Sequence, residues 1–313
     1  MNLRFALSLF ALFVASASIA QADGLSFGVE RETVGVGRQF NNDWLGDGKD
    51  RWRSSSYVVS FVRAPEWNGV LPDSAGRLLE YRLRHEIVAP RFLSGAGSDD
   101  RPYAGQFSAG IHTHFMRGRA EYSLGADVVA LGPQAGAAEM QNWFHTIIGE
   151  PLIDNDVIDN QIPNQIALSG SAEIAWPIHP ANENTTYRPF LAAQAGVEEI
   201  ARLGGDVIVG GAGEGALWLR DVVTGQLYRG ATGDADGLVF IFGADYGVVG
   251  DSLLLPATSG VQALESRYRL RAAAHWQLDD EMTWSYGITY LSEEFVDQSE
   301  GQLVGSVKLN FNF

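Results

Sequence analysis

The sequence has 313 residues, a formal net charge of −16 and no cysteine. The lack of cysteine excludes disulfides and thiol chemistry, which is compatible with a bacterial envelope protein. The negative charge argues against nucleic-acid binding and permits the binding of divalent cations. Abundant glycine, plentiful aromatic residues and a mean hydropathy of −0.05 suit a β-rich protein whose strands have two different faces.

The first 22 residues are predicted to be a secretory signal peptide. Arg4 supplies a positive start, Phe5 to Val14 form an apolar core, and an Ala-Gln-Ala triplet at 20–22 provides a cleavage site. We therefore expect the mature chain to begin at Asp23. The apolar core is too short to span a bilayer and no other run is long enough, so no transmembrane helix is predicted.

Apolar and polar residues alternate along most of the remaining chain. Tyr57, Val59 and Phe61, for example, alternate with Ser56 and Ser60. Comparable runs occur at 25–29, 79–87, 106–115, 121–128, 166–176, 187–197, 238–246, 268–276, 282–290 and 303–313, with a weaker run around 207–209. Strands that are apolar outward and polar inward are typical of outer-membrane barrels. We predict an all-β fold over 23–313, a transmembrane antiparallel barrel of roughly twelve strands in the cell outer membrane.

A soluble β-sandwich in the periplasm is the alternative fold, since its strands also alternate. The chain ends in Phe313, and a terminal aromatic residue on the outward face is common in outer-membrane barrels. A sandwich needs neither this residue nor so many long alternating runs. The combination favours the barrel.

Charged residues occupy many of the predicted inward positions. Arg267, Arg269 and Arg271 share one strand face, and possible partners are Glu80, Glu121, Asp127, Glu173 and Asp245. Paired charges would fill a narrow barrel and fix its interior, while adding little net stability. The sequence therefore predicts a plugged, rigid scaffold and disfavours an open pore.

One convincing helix is predicted, between Leu131 and Glu150. Gly132-Pro133 can open it and Gly149 can close it. At helical spacing, one apolar face is formed by Met140, Trp143, Phe144, Ile147 and Ile148. Gln141 and His145, four residues apart, lie side by side at its edge. The helix can thus lie against an apolar surface and hold an imidazole at the boundary.

Strand parity predicts which loops share a rim of the barrel. With the N-terminus in the periplasm, loops that follow odd-numbered strands emerge outside. These loops are predicted at Glu32–Ser55, at Ala89–Tyr103, and from the helix to Gln165. Asn42-Asp43, the run from Asp99 to Tyr103, and His145 should therefore gather at one rim.

Three segments carry a resemblance to a known family. They are FNNDWLGDGKDRWRSS at 40–55, DDRPYAG at 99–105 and GPQAGAAEMQNWFHTIIGE at 132–150. In this order they resemble the outer-membrane lipid A 3'-O-deacylases, which are barrel enzymes that remove the acyloxyacyl chain from the 3' position of lipid A. The third segment is the most specific of the three.

The resemblance implies a calcium-dependent hydrolysis similar to that of phospholipase A2. His145 falls on the family's catalytic histidine, Asn42 and Asp43 on its Asn-Asp pair, and Ser54 on a threonine whose hydroxyl it keeps. Imidazole is a suitable base near neutral pH, an adjacent carboxylate can hold it, and a Ca²⁺ ion with oxygen ligands can polarise the acyl carbonyl. Gln141, one turn before His145, is expected to contact the substrate.

The resemblance also implies residues that bind phosphate and metal. The family has a lysine in the second outer loop, where this chain has only Arg91 and Arg101 as basic residues; we expect them to bind the phosphates of lipid A. The family's glutamate after the helix appears here as Glu150, shifted by one position. Glu150 is the expected Ca²⁺ ligand, with Asp154 or Asp156 as alternatives.

Other interpretations stay open at this point. Arg101 could instead bridge Asp99 or Asp100 and support the loop. The whole protein could be a non-catalytic scaffold or a minor pore, or could act on phospholipids. The expected partners are lipid A or lipopolysaccharide and outer-membrane lipid, with no nucleic acid and a monomeric state.

Overall fold

The computed structural model describes residues 28–94, 100–180, 184–233, 237–277 and 282–311. The predicted signal peptide, Asp99 and Phe313 lie outside these residues, so those predictions stay untested. No helix within the described ranges is long and apolar enough to cross a membrane.

The described residues form fourteen strands and two α-helices. The strands are β1 Glu32–Asn42, β2 Trp52–Ala64, β3 Leu79–Ala89, β4 Ala104–Arg117, β5 Ala120–Leu131, β6 Gln165–Ala175, β7 Thr185–Ala195, β8 Glu198–Val209, β9 Leu217–Arg220, β10 Leu227–Ala231, β11 Gly237–Ser252, β12 Ser266–Gln277, β13 Met282–Leu291 and β14 Gln302–Phe311. The helices are α1 Ala137–Ile148 and α2 Asn155–Asp159; short 3₁₀ turns lie at Pro133–Ala135, Gly211–Gly213 and Ala257–Ser259.

Twelve of the strands form one closed antiparallel barrel. Each strand pairs with its neighbour in the chain except where β8 pairs with β11, and β1 closes the barrel against β14. Because the barrel is closed, no strand edge is left without a hydrogen-bonded neighbour, which is the condition for strands to cross a membrane. The predicted antiparallel barrel of roughly twelve strands, with a short helix in a connecting loop, is confirmed.

The first strand was predicted wrongly. Residues 25–27 of the run predicted at 25–29 lie outside the described residues. Glu32–Ser55 was predicted to be a loop, but β1 occupies Glu32–Asn42 and the loop that follows is only 43–51. Gly35 and Gly37 stand on the side of β1 that faces β10; a Cβ on Gly35 would lie 2.1 Å from the carbonyl oxygen of Gly230. Glycines at inward positions hide the alternation from a sequence pattern.

The alternating faces otherwise follow the prediction. On β3, Tyr81 and Leu83 are exposed on the outside, whereas Arg82, Arg84 and Glu86 are buried inside. Large apolar residues are exposed in the same way on other strands, among them Phe61, Phe107, Ile111, Leu168, Leu203, Phe240 and Leu270. The barrel thus presents an apolar outer band and a polar interior.

A hairpin inside the barrel was missed. The alternating pattern predicted no strand between positions 209 and 238, yet β9 and β10 pair as a two-stranded sheet between β8 and β11 in the chain. Its apolar side packs on the wall in a cluster of Val58, Val62, Ala64, Leu78, Leu217, Leu219, Tyr228 and Ala231. Because β8 ends at the rim opposite α1, the hairpin enters the barrel from that rim and plugs it.

Ion pairs hold the hairpin and fill the remaining lumen. Arg220 of the hairpin contacts Glu173 at 2.6 Å and Asp206 at 2.8 Å. Elsewhere Arg269 pairs with Asp245 at 3.0 Å, and Arg267 with Glu198 at 2.7 Å. The predicted charge-filled lumen is therefore present, with some partners, such as Glu198, that the pattern did not identify.

Removing one member of a buried ion pair should destabilise the barrel far more than removing an exposed one. Arg220→Gln removes one guanidinium partner from each of two buried carboxylates, Glu173 and Asp206, which keep only Arg188 and Arg271 as close partners. We expect it to lower the free energy of unfolding by about 3 kcal/mol. Lys49→Gln breaks the exposed Lys49–Glu300 pair and should cost less than about 1 kcal/mol. Denaturant unfolding in detergent, followed by the gel shift of the folded barrel, measures both; equal losses would contradict the assignment.

Candidate active site at the outer rim

The helix α1 starts and ends at glycines. The Pro133–Ala135 turn is 3₁₀, so the α-helix proper starts at Ala137, later than predicted. Gly136 (φ 68°) precedes it and Gly149 (φ 78°) follows it, and the amide of Gly149 donates to the carbonyl of His145 at 2.8 Å. These left-handed conformations suit glycine because it has no Cβ.

The helix packs on the outside of the barrel wall. On β3 and β4 the outward series that contains Leu83 and Phe107 also contains His85, Ile87 and Gly105. His85 Nε2 donates to the carbonyl of Ala135 at 3.1 Å, and a Cβ on Gly105 would lie 2.5 Å from that of Ala137. Outward residues also join residues of both helices in one cluster of Ile87, Ala89, Tyr103, Ala137, Ala138, Ile153 and Val157. The side chains of α1 therefore lie on the outer side of the barrel wall at the rim.

His145 stands on the buried side of α1 with both ring nitrogens engaged. Nδ1 lies 2.6 Å from the carbonyl oxygen of Pro151, which can only accept, so Nδ1 donates. Nε2 lies 2.8 Å from Oδ2 of Asp50. The Pro151 contact fixes the ring, and Nε2 faces the Asp50 carboxylate.

Asp50 is the site residue that the sequence analysis missed. It lies in the loop between β1 and β2, with 31% of its side chain exposed. Besides His145, it accepts from Gln141 Nε2 at 2.8 Å and from the hydroxyl of Ser54. The only sequence signal was its place in an acidic run shared with Asp43 and Asp47.

Ser54 reaches Asp50 because β2 begins irregularly. The register between β2 and β3 shifts between Trp52 and Ser55, which marks a β-bulge. Arg53 points into the lumen, where its guanidinium contacts Glu294 at 2.7 Å, while the Ser54 hydroxyl donates to Asp50. The Ser54 hydroxyl therefore orients the Asp50 carboxylate, which in turn contacts His145.

Asp43 is fully buried beside this group. Its backbone amide donates to the carbonyl of Ser54 at 3.1 Å, and its Oδ2 accepts from the amide of Arg51 at 2.8 Å and from Gln302 at 3.1 Å. Its Oδ1 has no hydrogen-bond partner among the described residues. Burial raises the pKa of Asp43 to about 9, and the Asp50 and Asp47 carboxylates act in the same direction.

One atom of this site is of the kind that binds a calcium ion. An orphaned, buried carboxylate oxygen such as Asp43 Oδ1 is a ligand that a hard cation accepts. The neighbouring Asn42 uses its side-chain oxygen to accept from the amide of Trp44 at 2.8 Å. Within the described ranges no three Asp, Glu or His side chains converge on a metal position, so further ligands would be carbonyl oxygens or water.

Two residues predicted to bind substrate are engaged by other parts of the protein. Gln141 is buried; its amide donates to Asp50, and its oxygen accepts from Tyr103 at 3.0 Å. Arg101 was expected to bind a lipid A phosphate or to bridge Asp99 or Asp100; its guanidinium is buried and paired with Glu294 across the lumen. These contacts come from partners that are distant in the sequence, and contact of either residue with substrate stays a prediction.

Arg91 and Glu150 lie at the surface of the same rim. Arg91 is exposed, and its guanidinium contacts Ser299 Oγ at 3.0 Å. Glu150 is exposed just beyond α1, with its backbone amide donating to the carbonyl of His145 at 3.0 Å. Neither placement tests the predicted role, so phosphate binding by Arg91 and metal binding by Glu150 stay predictions.

A cavity in the barrel lumen lies away from this group. It has a volume of about 520 Å³ and is situated in the lumen between the hairpin and the wall, where its lining includes Arg82, His112, Glu173 and Arg220. These four groups are each engaged by an acidic or basic partner, Arg82 by Glu80, His112 by Asp127, and Glu173 and Arg220 by each other. The groups around Asp50 instead converge on an imidazole. The chemistry of the site therefore points to the rim.

Comparison with known proteins agrees with this architecture. A family described as outer membrane protein LpxR matches residues 5–211, more than half of the chain. The chain belongs to the LpxR family. It is accordingly an outer-membrane protein, and its apolar outer band faces lipid.

A solved structure of an LpxR protein shows the same fold. LpxR from Salmonella typhimurium matches with a TM-score of 0.72 and 17% identity, over 89% of this chain and 99% of that chain. The KdgM porin in complex with oligogalacturonate and the NanC porin each match 89% of this chain and 100% and 99% of their own, at 5% identity and TM-scores of 0.42 and 0.41. No curated protein matches the chain.

The different surroundings of Arg101 and Arg91 predict different effects on stability. Arg101→Gln leaves Glu294 with one guanidinium fewer in the lumen and should lower the free energy of unfolding by about 3 kcal/mol. Arg91→Gln changes an exposed side chain and should cost less than about 1 kcal/mol. Denaturant unfolding measures the difference; a neutral Arg101→Gln would contradict a stabilising role for the buried Arg101–Glu294 pair.

Proposed function

We propose that the protein is a lipid A deacylase that removes the 3'-linked acyloxyacyl chain by Ca²⁺-dependent hydrolysis, with His145 as general base. Membership of the LpxR family supports an outer-membrane lipid A deacylase. The observation that carries the finer proposal is the contact of His145 Nε2 with Asp50 on the lipid side of the rim. An ester in the outer leaflet can reach that position without entering the barrel.

The histidine acts on water held at Nε2. A water that enters between Nε2 and Asp50 is oriented by the carboxylate, and Nε2 takes its proton while its oxygen bonds to the acyl carbonyl carbon. The bond to the sugar oxygen then breaks, and the proton on Nε2 passes to that oxygen. Asp50 stabilises the imidazolium in between.

The remaining groups hold the reactants and the charge. Ser54 and Gln141 fix Asp50, which makes them positioning residues in this proposal. Asp43, with Asn42 beside it, would hold the calcium ion, and Glu150 is a further proposed ligand. When bound, the ion polarises the acyl carbonyl and stabilises the oxyanion.

The substrate is bound by exposed groups of one chain. Arg91 is available to bind a phosphate of lipid A as a cation at the surface. Since all the proposed groups come from a single chain, a monomer is sufficient. The hairpin and the ion pairs that fill the lumen count against the minor-pore alternative, while a non-catalytic scaffold is left to the experiment.

Mass spectrometry of lipid A after incubation with the refolded protein tests the proposal. We expect the loss of one acyloxyacyl unit with Ca²⁺, and no loss with a chelator or with His145→Ala. The gel shift of the folded barrel controls for refolding of each sample. An unchanged lipid A mass with folded protein and Ca²⁺ would favour the scaffold, and loss with folded His145→Ala would remove the histidine from the mechanism.

Asp50→Asn should lower kcat by on the order of 100-fold or more, with little change in KM, because the amide no longer stabilises the imidazolium. Asp251→Asn, which makes the same change at an exposed position at the end of β11, is the matched control and should leave kcat unchanged. A loss confined to KM would instead make Asp50 a substrate-binding group, and a loss of the folded gel band would make its role structural.

A further inference from the structure

The exposed surface of α1 is divided into two strips. The apolar strip consists of Met140, Trp143, Phe144, Ile147 and Ile148, with exposures between 43% and 65%. The polar strip consists of Glu139, Asn142 and Thr146, and the buried face of Ala137, Ala138, Gln141 and His145. At 3.6 residues per turn, each set occupies its own side of the helix. Five large apolar side chains in contact with water would be costly, at about 25 cal/mol per Å².

The place of α1 on the wall determines what the apolar strip meets. The helix packs through its buried face on outward residues of β3 and β4, including Ile87 and Gly105. These residues continue the same outward faces as Leu83 and Phe107. The strip is therefore continuous with the outer band of the barrel, which faces lipid.

We propose that α1 is an interfacial helix whose apolar strip is embedded in the acyl chains of the outer leaflet. Helices of this kind lie in the plane of the interface, with large apolar side chains in the acyl region and a polar face toward water. Trp143, opposite the centre of the buried face, suits this depth because indole prefers the interface. The polar strip then faces the headgroups.

The proposal goes beyond hydrolysis and does not depend on it. Embedding anchors α1 at the boundary between acyl chains and headgroups, so His145 is held at the depth at which acyl esters of lipids lie. A protein that lacked all catalytic activity would show the same embedding.

Spin labelling tests this inference without removing native thiols, because the chain has no cysteine. Single-cysteine variants Trp143→Cys and Ile147→Cys report on the apolar strip, and Glu139→Cys and Thr146→Cys on the polar strip. Leu270→Cys, on the outer face of β12, gives the reference for lipid contact. Each nitroxide-labelled barrel is refolded into phosphatidylcholine–phosphatidylglycerol vesicles and tested for collision with oxygen and with a water-soluble nickel chelate.

We expect the ratio of oxygen to nickel accessibility to be several-fold higher at positions 143 and 147 than at 139 and 146, and to approach the value at 270. Equal ratios on both strips would overturn the proposal, because the helix would then stand in water. Spin–spin broadening at 143 that grows with protein density would also overturn it, since a second copy would then cover the strip.

Discussion

The structure depends on one constraint, which is that charged side chains inside a closed barrel must find partners within it. Arg220, Arg269 and Arg267 each lie within 3 Å of a carboxylate that comes from another segment. Several of these carboxylates contact more than one guanidinium, and removing one member weakens the compensation of the buried charges that remain. These networks therefore fix how the lumen is filled. The hairpin of β9 and β10 is held by the same networks, and together they occupy the space through which a pore would run.

Because the interior is filled, the candidate site lies on the outer surface of the rim. At the start of β2, consecutive residues divide between the two sides: Arg53 joins the lumen network through Glu294, while Ser54 reaches Asp50. Asp50 in turn meets His145 on a helix that packs on the outside of the wall. The bulge of β2 thus ties the position of the Asp50–His145 contact to the rigid interior.

Elements with a regular spacing of apolar residues could be predicted from the sequence. The strands other than β1 and the two strands of the hairpin, and the helix with its histidine, follow from spacings of two and of three to four residues. Strand β1 escaped because Gly35 and Gly37 interrupt the alternation where the hairpin approaches. The hairpin escaped because β10 is buried along its whole length and has no outward face to alternate with.

Only those site residues that lie in a regular helix or in a segment resembling a known family could be predicted. His145 followed from the helix and from the resemblance, but its partner Asp50 lies in a loop without periodicity and is joined to the helix only by folding. Arg101 shows the same limit from the other side: its partner Glu294 is 193 residues away, and nothing near Arg101 in the sequence indicates burial. The helical spacing correctly predicted that Gln141 lies beside His145, but the contact of Gln141 with Asp50 could not be predicted from the sequence.

The central claim is that lipid is processed at the outer rim and not in the lumen. A crystal structure with a non-hydrolysable lipid A analogue, grown with Ca²⁺, tests it most directly. The account predicts the amide or ether that replaces the ester within about 3–3.5 Å of a water at His145 Nε2, with acyl chains along Trp143 and Ile147. Analogue bound in the cavity beside Arg220, with the rim around Asp50 empty, would contradict it.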